Sequence, residues 1–182
     1  IYLKGGSDSI GTFSSDETVT WSIDGGADAA LFNIDENSGV LTFLSAPDAA
    51  SPTDSDTNNE YLLNIKATDL VENSSTQSVT VIIDETAPLI TGPQGSSAGD
   101  LTSTTSIDEN TNAVVTLSAN ETVVWSKNGG SDSSKFNLDA STGELSFINA
   151  PDFENKLDSD TNNDYEIIVR ATDSAGNTSD QT

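Results

Sequence analysis

Short runs of alternating apolar and polar residues recur along the chain. Residues 18–23 read Thr-Val-Thr-Trp-Ser-Ile, and similar patterns occupy 40–43, 61–65 and 79–83. Further along they return at 114–117, 122–126, 145–148 and 165–169. A period of two places every second side chain on one face, which predicts strands with one face buried. Gly-Gly at 25–26 and 129–130, Ser38-Gly39, Thr142-Gly143 and clusters of Asp, Asn and Ser supply turns between them. No segment carries an amphipathic helical stripe of useful length. About seven short strands per ~100 residues, punctuated by turns, predict an all-β chain of β-sandwich type.

The pattern is also duplicated. Trp21-Ser22 returns as Trp125-Ser126, Phe32-Asn33 as Phe136-Asn137, and Ala46-Pro47-Asp48 as Ala150-Pro151-Asp152, each 104 positions later. Of the 62 residues from Glu17 to Ser78, 30 recur unchanged at that offset. Two tandem modules are expected, 1–87 and 88–182, with the junction at Asp84-Glu85-Thr86-Ala87-Pro88, where the proline ends the sheet ladder. The strand-like 77–83 has a counterpart beginning only at Gln181, and nothing precedes Ile1 to match 88–106. The first strand of module 1 and the last of module 2 are therefore expected to be absent, as in an internal slice of a longer array. The polar stretch 92–105 reads as a surface excursion.

Composition then narrows the chemistry. The 182 residues include 30 acids and 6 bases, a formal net charge of −24, with no His, Cys or Met. That removes Ser–His and Cys–His nucleophile pairs, imidazole and thiolate zinc sites, and disulfides. Six dispersed bases would leave a nucleic-acid backbone repelled. No apolar run approaches the ~20 residues of a membrane span, so no membrane insertion is expected. No signal peptide is visible, which in a slice says nothing about secretion.

The acids fall at strand ends. Asp54-x-Asp56-x-Asn58-x-Glu60 and its repeat Asp158-x-Asp160-x-Asn162-x-Asp164 place oxygens at alternate positions of a tight loop, as calcium loops do. The spacing lacks the glycine and distal glutamate of a helix–loop–helix calcium hand. It equally suits a turn built on Asp and Asn. Asp152-x-Glu154 corresponds to Asp48-x-Ala50, and a spread-out set adds Asp84 and Glu85, Asp16 and Glu17 or Asn120 and Glu121 before the Trp strands, Glu109, and Asp69 or Asp173. Massed carboxylates repel within the ~8 Å screening length unless cations lie between them. A hard divalent ion meets that need, and Ca²⁺ accepts irregular oxygen cages more readily than Mg²⁺.

Phe-x-Ile-Asp-x-x-x-Gly-x-Leu at 32–41, the Asp-x-Glu element and Tyr-x-Ile-x-Val-x-Ala-Thr-Asp at 165–173 together resemble the core signature of cadherin repeats. The likeness is nearest to the cadherin-like modules of large bacterial surface adhesins. Ile107-Asp108-Glu109-Asn110 resembles that family's early Glu-Asn element, and 84–88 its acidic linker. The resemblance implies two tandem Greek-key, immunoglobulin-like sandwiches stiffened by Ca²⁺ at each junction. It implies that Asp48, Asp84, Glu85 and Asp173, with Glu121 or Asn120, serve the junction between the modules. Glu109, Asp152 and Glu154 would face a following module, and Asp69 a preceding one. Ala50 and the absence of a glutamate near 1–6 depart from that pattern, so fewer or weaker ions are expected at the junction between the modules.

The function expected is a calcium-binding spacer and adhesion segment of a long, secreted or cell-surface bacterial protein. Its partners would be neighbouring repeats of the same chain, further copies of itself or another cell-surface ligand. Two alternatives stand beside it: a carbohydrate-binding module using Trp21 or Trp125, and a subunit of an extracellular filament. The alternation shared with Val19 and Val123 puts both Trp residues in the core. An enzyme using Asp152 and Glu154 as acid and base is not expected, because no cleft-forming insertion surrounds them.

Overall fold

A computed structural model of the chain describes residues 1–93 and 96–182. Gln94 and Gly95, inside the expected surface excursion, lie outside the described residues. The chain forms two compact units, Ile1–Glu85 and Thr86–Thr182.

Unit 1 contains β1 (Tyr2–Leu3), β2 (Ser9–Thr12), β3 (Val19–Ile23), β4 (Phe32–Ile34), β5 (Val40–Phe43), β6 (Glu60–Asp69) and β7 (Ser74–Ile83). They form two sheets, β1-β7-β6-β3 and β2-β5-β4. β1 pairs with β7 in parallel and every other pair is antiparallel. This is a Greek-key β-sandwich. Its core lies between the sheets, with Tyr61, Leu63 and Ile65 of β6 and Val79, Val81 and Ile83 of β7 facing Phe32, Leu41 and Phe43. The Phe32 and Phe43 rings lie 4.5 Å apart, and Tyr61 meets Phe43 edge-on at 5.1 Å. Each such side chain contributes roughly 1.5–3 kcal/mol by leaving water.

Unit 2 contains β8 (Ile90–Thr91), β9 (Ala113–Thr116), β10 (Ser118–Ala119), β11 (Val124–Gly129), β12 (Phe136–Leu138), β13 (Glu144–Phe147), β14 (Ile168–Thr172) and β15 (Thr178–Gln181). The sheets are β11-β14-β15 and β12-β13-β9, with a small β10-β8 pair. The aromatic trio recurs as Phe136, Phe147 and Tyr165. Among the described residues the helical elements are two single 3₁₀ turns, Ala29–Leu31 and Ser133–Lys135.

Several strand boundaries refine the sequence reading. Unit 2 ends on a polar strand, β15, in which Thr178–Gln181 pairs with Thr172–Val169 through its backbone although it lacks an apolar face. β1 supplies a short first strand in unit 1, held by its parallel pairing to Ile82 and Ile83. The strand expected at 165–169 begins only at Ile168. In unit 1 the matching residues Glu60–Leu63 pair with Ile82–Val79 of β7. In unit 2, residues 165–167 form no ladder.

Candidate metal centres

The 148–167 connection leaves β13 at the edge where β9 begins, since Ser146 pairs with Ala113. Asp152 turns this connection by accepting the N–H groups of Glu154 at 3.1 Å and Asn155 at 3.2 Å. Glu109, in the segment entering β9, accepts the Phe153 N–H at 2.9 Å, and the neighbouring Asn110 N–H donates to the Pro151 carbonyl at 2.8 Å. These bonds bring carboxylate oxygens of Glu109, Asp152 and Glu154 within 4.8 Å of one another. The opposite end of the unit holds a second acidic pair. Asp173 follows β14 and accepts N–H groups from Ala175 and Asn177, both at 2.8 Å, on one oxygen and the Asn177 amide on the other. Glu121 precedes β11, whose Val124 pairs with Thr172, and its carboxylate comes within 4.8 Å of that of Asp173.

Unit 1 repeats the frame with different residues. Asp48 is exposed and accepts the Ala50 N–H at 2.9 Å, while Ala50 and Gly5 stand where Glu154 and Glu109 stand in unit 2. The Gly6 N–H donates to the Pro47 carbonyl at 2.9 Å, matching Asn110 and Pro151. A Cβ added to Gly5 would collide with Oε1 of Glu85. The Glu85 carboxylate therefore fills the space beside residue 5, where a glutamate side chain would begin. Asp84 is half-buried and donates its N–H to the Leu3 carbonyl at 2.9 Å. Asp69 closes the far end of β6. The Asn73 amide, with N–H groups of Val71 and Asn73, holds its carboxyl below the usual carboxylate range against partial burial.

The Asp54–Asn59 and Asp158–Asn163 loops are built alike. Asp28 is buried and accepts the N–H groups of Ser55 at 2.6 Å and Leu62 at 2.8 Å, clamping both sides of its loop. Asp132 does the same with Ser159 at 2.7 Å and Glu166 at 3.0 Å. Neither clamp was singled out from the sequence, although both recur after Gly-Gly in the repeat. Asp54 and Asp158 lie inside, 4% and 6% exposed, each accepting one N–H from Asn58 or Asn162 on Oδ2. Their Oδ1 atoms are buried without a hydrogen-bond partner. Burial pushes the Asp54 carboxyl up, but the Asn58 N–H above all leaves it below the usual range. Asp158 behaves likewise. Burial and the Asp54 carboxylate raise Asp56. Asn58 and Asn162 turn the loop: each side-chain amide donates to Asp56 or Asp160, and each amide oxygen accepts the N–H of residue 60 or 164.

No protein-family profile and no curated protein matches the chain. Among solved structures, Drosophila N-cadherin EC1-3 is similar over 100% of this chain and 60% of its own, at 18% identity and a TM-score of 0.38. The protocadherin gammaB7 EC3-6 cis-dimer is similar over 100% and 48%, at 18% identity and 0.40. Protocadherin gamma B2 extracellular cadherin domains 3-6 are similar over 100% and 47%, at 17% identity and 0.39. The chain spans roughly half the length of these structures, and the likenesses are distant.

Proposed function

We propose that the chain is a pair of calcium-binding spacer modules from the extracellular, adhesive part of a long bacterial surface protein. The observation that carries this reading is the convergence of Glu109, Asp152 and Glu154 within 4.8 Å at one end of unit 2. Every donor there is a hard oxygen, and the set is irregular, which suits Ca²⁺ better than the octahedral demand of Mg²⁺. Glu121 and Asp173 supply acids at the other end, so a repeated module offers carboxylates to neighbours on both sides. In unit 1, Asp48 with Glu85 and Asp69 take the corresponding places. Asp84 stands next to Glu85, where unit 1 runs into its linker. The chain's task in this reading is mechanical and adhesive, with no catalytic residue.

A sugar platform finds no support at the tryptophans. Trp125 is 5% exposed in the core, and Trp21 is half-buried beside Phe13, 6.2 Å between ring centroids. Melting the chain in calcium and in EDTA tests the calcium reading: Ca²⁺ raises the transition by mass action. The Glu109→Gln/Glu154→Gln variant loses part of that rise. Identical transitions in the two conditions would sink the reading. Release of the parent protein from intact cells by an added protease tests its surface location.

A further inference from the structure

We infer that each unit also holds a Ca²⁺ of its own inside the Asp54–Asn59 or Asp158–Asn163 loop, on the paired carboxylates of Asp54 with Asp56 and of Asp158 with Asp160. The orphaned Oδ1 atoms of Asp54 and Asp158 carry this. Both side chains are more than nine-tenths buried, and both oxygens lack a donor at the same place in two separately folded copies. A buried carboxylate oxygen without a partner is costly, and its recurrence makes an accident of packing a poor account. Each of these buried carboxylates has another acid beside it, since the side chains of Asp56 and Asp160 lie within hydrogen-bonding reach of Asp54 and Asp158. In unit 1 the Asn59 amide oxygen is a second buried acceptor without a partner, its nitrogen donating to the Ala49 carbonyl at 3.0 Å. Asp28 adds a further negative charge nearby, with both oxygens already committed to Ser55 and Leu62. The ion pair between Arg170 and Asp180 lies outside the loops, and among the described residues no base pairs with Asp54, Asp56, Asp158 or Asp160. Oxygen donors alone, two of them charged, call for a hard divalent cation.

The loop carboxylates are different residues from the end-of-module set, and the test keeps the two apart. Calcium bound by the full chain is counted by equilibrium dialysis, and melting is followed in calcium and in EDTA. Asp54→Asn/Asp158→Asn keeps an acceptor for the Asn58 and Asn162 N–H groups and removes the charge beside Asp56 and Asp160. We expect two fewer ions per chain, a smaller calcium-induced rise in melting temperature, and melting in EDTA no lower than that of the original chain. The exposed pair Asp56→Asn/Asp160→Asn, which leaves the buried acid in place, also lowers the count by two. Glu109→Gln/Glu154→Gln leaves both loop ions bound. An unchanged count in both loop variants overturns the inference. So does an equal fall in melting temperature with and without calcium, which marks a structural or proton-sharing role only.

Discussion

At the scale of single residues, position often matters through backbone geometry. Gly39 and Gly143 sit at φ +70° and +72°, packed under the indole of Trp21 or Trp125. A Cβ at Gly143 would lie 2.9 Å from both the Leu117 carbonyl and the Trp125 indole nitrogen. Gly143→Ala therefore combines left-handed strain with a clash against backbone. A loss of about 2 kcal/mol is expected, read from the denaturant midpoint with Trp125 emission as the probe. The glycine was visible in the sequence as a turn signal, but its packing partner was not. The same holds for the candidate sites. Asp54, Asp56 and Glu109 stood out by spacing or resemblance. The clamps Asp28 and Asp132, 27 residues before the Ser55 and Ser159 they hold, have no local pattern to reveal them.

Among elements, alternation found those strands whose burial itself alternates. Burial in β3 follows the Val19, Trp21, Ile23 pattern, and β6 buries Tyr61, Leu63 and Ile65. It missed β2 and β4, which are too short or too poor in apolar residues to show a period. It also took only the apolar half of β7, since Ser74–Ser78 are exposed and owe their strand form to pairing with β6. β15 is the extreme case, polar throughout and anchored across the ladder by Arg170, which grips Asp180 through two 2.8 Å bonds. The counterparts in unit 1 are Lys66 and Thr76, so this pair belongs to unit 2 alone. Both side chains are over a third exposed, which caps the interaction at about 1 kcal/mol. Arg170→Ala should cost no more than that, and the cost should shrink in 1 M salt; a larger, salt-insensitive loss would mean lost packing instead.

For the whole molecule, a net charge of −24 sets how stability responds to solution conditions. Several acids are held below their usual range by hydrogen bonds: Asp139 by the Ser141 hydroxyl and the Thr142 and Ser141 N–H groups, Asp35 by Ser38 and Asn37, Asp180 by Arg170. A carboxyl depressed on folding lends stability above its unfolded value near ~3.9, and this is lost as pH falls through the lower folded value. Melting temperature in EDTA should accordingly drop steeply below about pH 4. Asp139→Asn should lose less between pH 5 and pH 3 than the original chain, and an unaltered acid limb would count against the assignment.

The parallel strand β1 has a mechanical consequence. The Ile82 N–H donates to the Ile1 carbonyl at 2.8 Å and the Asp84 N–H to the Leu3 carbonyl at 2.9 Å, so the two ends of unit 1 lie side by side and run the same way. A pull on the chain from both ends drags these strands past one another. The bonds between them are then stretched together in shear rather than opened one at a time like a zipper. Resistance to force would thus reside in a two-residue strand, and the rate of tearing it away, rather than equilibrium stability, would decide when the unit yields.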